Sequence, residues 1–244
     1  MDSERRPDSA ARKSYVLVSG SYTNDKQRRS ISDMEAYLET GWLGHRSMGV
    51  FAVAQTTLAA SGKILIQNEG FFQVRYRDFD RHKTSPDFFA QFQWNGLWGL
   101  EDRRLAGINV RHRIAERRNA DCYLSLGMFY QAEKWNYAGV DDSTQIPPNA
   151  STITDSRLRL NSQIKVARSV AEKVDFILES FVQSNLPFTG STPGLRWFVF
   201  GSIAWHLAEH VQLAWTYDHI FQATPLVPIR KLYTGHALRF GLKF

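Results

Sequence analysis

Polar side chains recur at every second position along much of the chain, and the charged ones among them, of both signs, are the residues that could do chemistry. Around Arg111 and Arg113, for example, polar residues alternate with apolar ones. Alternation of this kind places the polar and apolar sets on opposite faces of a strand. A face with so many charges must meet water or pair its charges internally. The candidate residues on the polar face are Arg111, Arg113, Arg157, Arg159, Lys165, Arg75, Glu69, Glu35, Glu133, Asp175 and Glu179.

Two uses of this polar face remain open from the sequence. One is a small polar pore, in which the basic residues on neighbouring segments would favour anions. The other is a salt-bridged network that fills a narrow lumen and closes it to most solutes. The residue types fit both interpretations equally.

Catalysis is not predicted, because the histidines lack suitable partners. Asp218 and His219 are adjacent in a strand-like segment, so their side chains point to opposite faces and cannot form an acid–base dyad. The other histidines show no spacing typical of metal ligands. Cys122 is the only cysteine, which excludes an internal disulfide and a multi-cysteine metal site. We therefore predict no catalytic residue, no metal site and no cofactor.

The elements that must carry these residues are strands. A period of two begins at Tyr15 and continues, with interruptions, to Phe244, and no helical period competes with it. About twelve segments result, most of them long enough to cross a bilayer at a tilt. The sequence therefore predicts an all-β fold, a single antiparallel transmembrane barrel of about twelve strands.

The C-terminal segment is a strand that ends on an aromatic residue. Apolar residues of one parity run through Phe240, Leu242 and Phe244. A C-terminal strand ending in Phe resembles the terminal strand of bacterial outer-membrane barrels, which their assembly machinery reads. These three residues are the predicted assembly signal.

Connection lengths define the predicted orientation. Counted back from the C-terminus, short turns alternate with longer loops at roughly 135–151, 186–194 and 223–231. Long extracellular loops and short periplasmic turns are typical of outer-membrane barrels. The connection at 78–85 lies on the side of the short turns but is longer than they are. Residues 1–13 are polar and are predicted to be a disordered periplasmic tail before a barrel domain at 14–244.

Composition agrees with a membrane barrel. The mean hydropathy is −0.35 and no stretch of eighteen apolar residues occurs, which excludes a helical membrane span. The net charge of +6 is spread over the segments, so no nucleic-acid partner is predicted. The seven tryptophans lie near strand ends or in adjoining loops, as interfacial aromatic girdles do. They are Trp42, Trp94, Trp98, Trp135, Trp197, Trp205 and Trp215, with Trp42, Trp94, Trp197, Trp205 and Trp215 as the main girdle candidates.

Several segments resemble the DUF481 family of outer-membrane barrels, which includes the salt-induced outer-membrane proteins. The similar segments are Tyr15-Val-Leu-Val-Ser-Gly-Ser-Tyr-Thr-Asn-Asp25, Asp87-Phe-Phe-Ala-Gln-Phe-Gln-Trp-Asn95, Arg104-Leu-Ala-Gly-Ile-Asn-Val-Arg-His-Arg113, Leu126-Gly-Met-Phe-Tyr-Gln-Ala-Glu133 and Asp155-Ser-Arg-Leu-Arg-Leu-Asn161. Where the family usually has a Gly-Asn-Thr step, this chain has Thr23-Asn-Asp-Lys26. The resemblance implies the fold and an outer-membrane location, and it brings no catalytic residues with it.

These observations predict a protein of the bacterial outer membrane. Residues 1–7 lack the apolar core of a signal peptide, so we expect a signal peptide to have been removed. The first functional expectation is a small passive pore for small polar or anionic solutes. The alternative is a closed structural or accessory barrel of a larger envelope complex, and a soluble lipid-binding barrel is the alternative fold. Expected partners are outer-membrane lipid or lipopolysaccharide, the barrel-assembly machinery and another envelope protein.

Overall fold

The structure is a computed structural model, and it describes residues 13–26, 30–43, 48–61, 64–78, 83–117, 120–149, 151–171, 173–186 and 194–243. Twelve strands make up nearly all of these residues, and a short 3-10 turn (Ser143–Gln145) lies in the connection after the seventh. The strands are β1 (Lys13–Lys26), β2 (Ser30–Leu43), β3 (Met48–Ser61), β4 (Ile64–Asp78), β5 (Thr84–Asn95), β6 (Leu100–Arg117), β7 (Ala120–Asn136), β8 (Thr152–Ala171), β9 (Val174–Asn185), β10 (Arg196–Ala208), β11 (Val211–Gln222) and β12 (Leu232–Lys243). Within the described ranges no helix is long and apolar enough to cross a membrane.

The strands form one closed antiparallel barrel in which each strand pairs with its sequence neighbours and β1 pairs with β12. Pairing of every strand with its sequence neighbours is what defines an up-and-down barrel. Pairing of β1 with β12, from Leu17 with Lys243 to Gly20 with Phe240, closes the sheet and shortens the unpaired edges that a flat sheet would expose. The predicted all-β fold, a single antiparallel barrel of about twelve strands, is confirmed.

Alternation along each strand separates the outer wall from the interior. On β7, Leu126, Met128 and Tyr130 are exposed, whereas Ser125 and Phe129 are buried. The apolar parity therefore faces outward, and the charged parity faces inward. A soluble lipid-binding barrel would need the reverse arrangement, so that alternative is excluded.

The connections differ in length between the two ends of the barrel. One end, which we call the short-turn end, has the connections 44–47, 79–83, 118–119, 172–173 and 209–210. The other, the long-loop end, has the connections 27–29, 62–63, 96–99, 137–151, 186–195 and 223–231. The prediction of long loops on one side holds for the second half of the chain. In the first half, 27–29 and 62–63 are as brief as the turns at the opposite end.

The predicted N-terminal tail lies almost wholly outside the described residues. Its last residue, Lys13, is the first residue of β1 and pairs with Leu43 on β2.

An apolar cluster lies at the long-loop end of the barrel. Val227 and Ile229, in the connection between β11 and β12, pack with Leu100 of β6 and Trp135 of β7. In a ring of twelve strands, β6 and β12 lie opposite each other. Segment 223–231 therefore reaches across the mouth of the barrel to the far wall, and we call it the cap segment.

Candidate functional site

The most buried polar group of the interior is an ionic network around Glu133. Arg103 on β6 contacts the Glu133 carboxylate at 2.8 Å, and Arg196 on β10 contacts the same oxygen at 2.7 Å. Arg196 also donates to the second carboxylate oxygen at 3.1 Å. Both arginines donate to Gln131, and Trp135 Nε1 donates to Glu133 at 3.2 Å.

This network spans a quarter of the barrel's circumference through the interior, since β10 is three strands away from β7. Glu133 and Arg196 have side-chain exposures of 1% and 2%, so their charges are compensated by each other and not by water. A bidentate arginine–carboxylate pair is among the strongest charge-assisted hydrogen bonds. The lumen is thus bridged by side chains just below the cap segment.

The interior along β6 to β10 is packed at other levels too. Asn161 Nδ2 on β8 donates to Asn109 Oδ1 on β6 at 3.1 Å, across the intervening strand β7. The bond is possible because Gly127 lies between them. A Cβ at Gly127 would clash with Asn109 Oδ1 and lie 2.7 Å from Asn109 Cα. The buried inward residues of these five strands are Leu100, Arg103, Leu105, Asn109, Arg111, Tyr123, Ser125, Phe129, Gln131, Glu133, Trp135, Arg159, Asn161, Gln163, Lys165, Ile177, Asn185, Arg196, Ser202 and Ala204.

Further pairs fill the half nearest the short-turn end. The guanidinium of Arg111 lies 3.5 Å from the ring centre of Tyr123, a close cation–π contact. On β4 and β5, Arg77 Nη2 donates to Asp87 at 3.1 Å, with both side chains almost fully buried. His206 Nε2 lies 2.8 Å from Asp175.

The interior is more open along the opposite arc, where β11, β12, β1 and β2 meet. Arg239 on β12 donates to Glu35 on β2 at 2.7 Å, and the two side chains keep 23% and 13% exposure. Asp218 on β11 also has the inward parity and is exposed, in contrast to its neighbours Ala214 and Thr216. The three charged groups named here are therefore more accessible to water than those around Glu133. Glu39 on β2 belongs to the same arc and is buried, with 3% exposure.

Every predicted polar-face residue lies on the inward parity, but the set is divided. Glu133, Arg111, Arg159 and Lys165 are buried. The half-buried ones are Arg113, Arg157, Arg75, Glu69, Glu35, Asp175 and Glu179. Several are paired locally, as Arg157 is with Asp155 and Lys165 with Glu179 at 3.8 Å. The structure thus does not bring the basic residues together as one water-lined stripe.

The five main girdle candidates all face outward. Trp94 and Trp197 lie near the long-loop end, whereas Trp42, Trp205 and Trp215 lie nearer the short-turn end. On the outer wall, Trp197 Nε1 donates to Ser180 at 2.9 Å, and the Trp197 ring contacts His219 edge-on. His219 therefore points outward, whereas Asp218 has the inward parity, so their side chains point to opposite faces. Of the predicted assembly signal, Phe240 is exposed on the outer wall, the side chain of Leu242 is outside the described set, and Phe244 lies outside the described residues.

Trp98 and Trp135 do not lie on the outer wall, contrary to the prediction that they belong to an aromatic girdle. Trp135 has the inward parity of β7 and is 2% exposed. Trp98 stacks on Tyr233 with ring centres 4.2 Å apart, next to the apolar cluster. The parity of Trp135 could have revealed this, because it matches Gln131 and Glu133. The burial of Val227 and Ile229 could not be predicted from the sequence, because the cap segment has no periodicity that indicates what it contacts.

No protein-family model matches the chain, and no curated protein matches it. Among solved structures, the chain is similar to the NanC porin, with 10% identity and a TM-score of 0.47 over 94% of this chain and 98% of that one. It is similar to the translocator domain of the autotransporter NalP from Neisseria meningitidis, with 10% identity and a TM-score of 0.44 over 96% and 87%. It is also similar to OccK5 of Pseudomonas aeruginosa, with 8% identity and a TM-score of 0.35 over 96% and 98%.

Proposed function

We propose that this chain is a β-barrel of the bacterial outer membrane. The outer wall supports the proposal, because large apolar side chains such as Val110, Leu126 and Leu160 are exposed around it. A soluble monomer rarely exposes such a continuous apolar surface. Antiparallel pairing around the barrel also satisfies backbone polar groups that a bilayer cannot, except where β1 and β12 are not paired with each other. Membership of the DUF481-like barrels, with insertion by the barrel-assembly machinery, is part of this proposal.

Within that membrane barrel, the geometry best supports a narrow passage for small polar solutes along the arc from β11 to β2. The observation that carries this is the contrast between Asp218, which is exposed, and Glu133, which is buried. A solute in the passage would meet Asp218, Glu35 and Arg239. Arg111, Arg159 and Lys165 are buried on other strands, so they would not set the selectivity. We therefore expect mixed charge and weak selectivity, and not the anion preference that the basic residues suggested.

The test is single-channel conductance of the refolded protein in a planar bilayer. We expect small, stable steps. Asp218→Asn should shift the cation-to-anion permeability ratio toward anions by roughly fivefold, because a unit charge about 4 Å from an ion in water is worth about 1 kcal/mol. Arg104→Gln is the matched control, since Arg104 has an exposed side chain on the outer wall.

The second candidate is the closed accessory barrel of a larger envelope complex. It is favoured by the bridge from Arg196 to Glu133 and by the cap segment above it. Stable insertion without any conductance would favour this candidate over the passage. Conductance that is unchanged by Asp218→Asn would instead show that ions follow another path.

A further inference from the structure

The seam that closes the barrel is paired over only part of its length. Between β1 and β12 the backbone partners run from Leu17 with Lys243 to Gly20 with Phe240. By comparison, β1 pairs with β2 from Lys13 to Lys26, and β12 pairs with β11 from Leu232 to Leu242. Residues 21–26 and 232–239 are described in both strands, yet they form no rung with each other.

The missing rungs are all on the long-loop side of the seam. If the register continued, Thr23 would lie opposite Ala237, and Asp25 would lie opposite Gly235. Unpaired backbone groups cannot remain in hydrocarbon without partners. In the membrane barrel proposed above, the backbone groups of this stretch therefore need partners from water, a polar side chain, a polar ligand or a lipid head group.

A side-chain contact holds the seam at the level where the backbone pairing stops. Arg239 is the first β12 residue beyond the last rung, and it donates two hydrogen bonds to Glu35 Oε1, at 2.7 Å and 3.1 Å. Glu35 belongs to β2, so this ion pair spans β1. It fastens the barrel immediately below the unpaired stretch.

Above that ion pair, the described inward residues of β11 and β12 include small side chains and the exposed carboxylate of Asp218. The inward residues of β12 at this level are small, namely Gly235 and Ala237. Asp218 lies across Gly235, where an added Cβ would be 2.9 Å from both carboxylate oxygens. The carboxylate is thus held over β12 toward the seam, and a larger residue at 235 would displace it.

The outer side of β12 along this stretch is apolar, and the cap segment lies over part of the axial route from the long-loop end. Leu232 and Leu238 on β12 are more than half exposed on the outer wall. Val227 and Ile229 of the cap segment are buried across the mouth, and this segment leads directly into β12. The unpaired stretch of the seam therefore gives bilayer molecules at the outer wall a lateral route toward Asp218.

We propose that the β1–β12 seam is a lateral binding site for a membrane phospholipid with an amine head group. The acyl chains stay outside against Leu238, and the ammonium group enters the unpaired stretch and pairs with Asp218. The phospholipid head group also satisfies free backbone donors of the seam through its phosphate oxygens. The site does not depend on axial conduction of solutes, so it goes beyond the proposed passage.

The first test closes the unpaired stretch of the seam with a covalent cross-link, which we call locking the seam. In a Cys122→Ser background, Thr23→Cys with Ala237→Cys is joined by a short dithiol-reactive cross-linker across the unpaired stretch. The control keeps Ala237→Cys and combines it with Thr216→Cys, because Thr216 and Ala237 form a regular rung between β11 and β12. Both proteins are compared, before and after cross-linking, in vesicles containing phosphatidylethanolamine that carries a photoreactive group close to the head group and keeps its free amine.

Photolabel on inward residues around Asp218 should fall after locking of the seam and persist in the cross-linked control. Asp218→Asn should lower this labelling by about tenfold, the loss expected for one charge-assisted hydrogen bond. Labels that remain on outward residues only, or labelling that is equal in the locked and control proteins, would overturn the proposal. Conductance of the locked protein is measured separately, so a failed passage and a failed lipid site give different results.

Discussion

At the scale of single residues, Glu133 is the side chain on which the interior depends most. Its carboxylate accepts from Arg103, Arg196 and Trp135, and its side chain is almost fully buried. Two buried guanidinium groups near one carboxylate leave a positive charge that Gln131 only partly offsets by accepting hydrogen bonds. Removal of the carboxylate charge would leave both cations uncompensated.

We therefore expect Glu133→Gln to lower the free energy of unfolding by about 3–5 kcal/mol, the usual cost of breaking a buried pair. Urea unfolding of the refolded protein in lipid vesicles measures it. Glu101→Gln is the control, because Glu101 pairs with Lys134 on the exposed outer side. If both variants unfold at the same urea concentration, the buried network does not stabilise the barrel.

Trp135 shows how parity decides the role of a residue. The same residue type serves on the outer wall at Trp197 and in the apolar cluster at Trp135. Because both tryptophans lie near a strand end, the sequence suggested a position in the aromatic girdle for both. The inward register of β7 separates them, and that register is readable from the chain.

At the scale of strands, the close approach of β6 to β7 depends on Gly127. An added Cβ would lie 2.7 Å from Asn109 Cα and still closer to the carbonyl oxygen of Ile108. Both are backbone atoms, so no side-chain rotation relieves the clash. Gly127→Ala should therefore force β6 and β7 apart and break the contact between Asn109 and Asn161. We expect a loss of about 1–3 kcal/mol, as for other overpacked sites.

The comparison for this prediction is Gly201→Ala on β10, where an added Cβ meets nothing within 4 Å. Thermal unfolding in detergent, followed by circular dichroism, gives both values. Equal midpoints for the two variants would show that the contact across Gly127 does not constrain the strands.

At the scale of the whole molecule, the cap segment links two opposite walls. Val227 is 1% exposed within the cluster, so Val227→Asp would bury an unpaired charge, which costs several kcal/mol unless the segment moves. Movement is the cheaper response for a loop, because the barrel wall does not need to change. We expect the cap segment to leave the mouth and the single-channel conductance to rise.

Thr224→Asp serves as the reference, since Thr224 is exposed in the same segment and a charge there stays in water. Limited proteolysis within 223–231 gives a second measurement, with faster cleavage expected for Val227→Asp only. An unchanged conductance with faster cleavage would mean that the bridge at Arg196 and Glu133 closes the lumen without the cap.

The sequence by itself determined the strands, their approximate number and the face on which each side chain lies. A period of two is a local property of the chain. It can be read from the sequence because the residues of one parity, such as Leu126 and Met128, are apolar. It also located the longer loops at 186–194 and 223–231, which agree closely with the observed 186–195 and 223–231. The inward position of all the predicted polar-face residues follows from the same pattern.

Only the tertiary structure decided which inward charges meet one another and which meet water. Arg196 reaches Glu133 from three strands away, and Glu35 reaches Arg239 across β1, so both pairs depend on barrel closure. The packing of Val227 on the opposite wall likewise depends on the curvature of the closed sheet. Such contacts join residues far apart in the chain, and no local periodicity encodes them. The position of the unpaired stretch between β1 and β12 is a property of closure for the same reason.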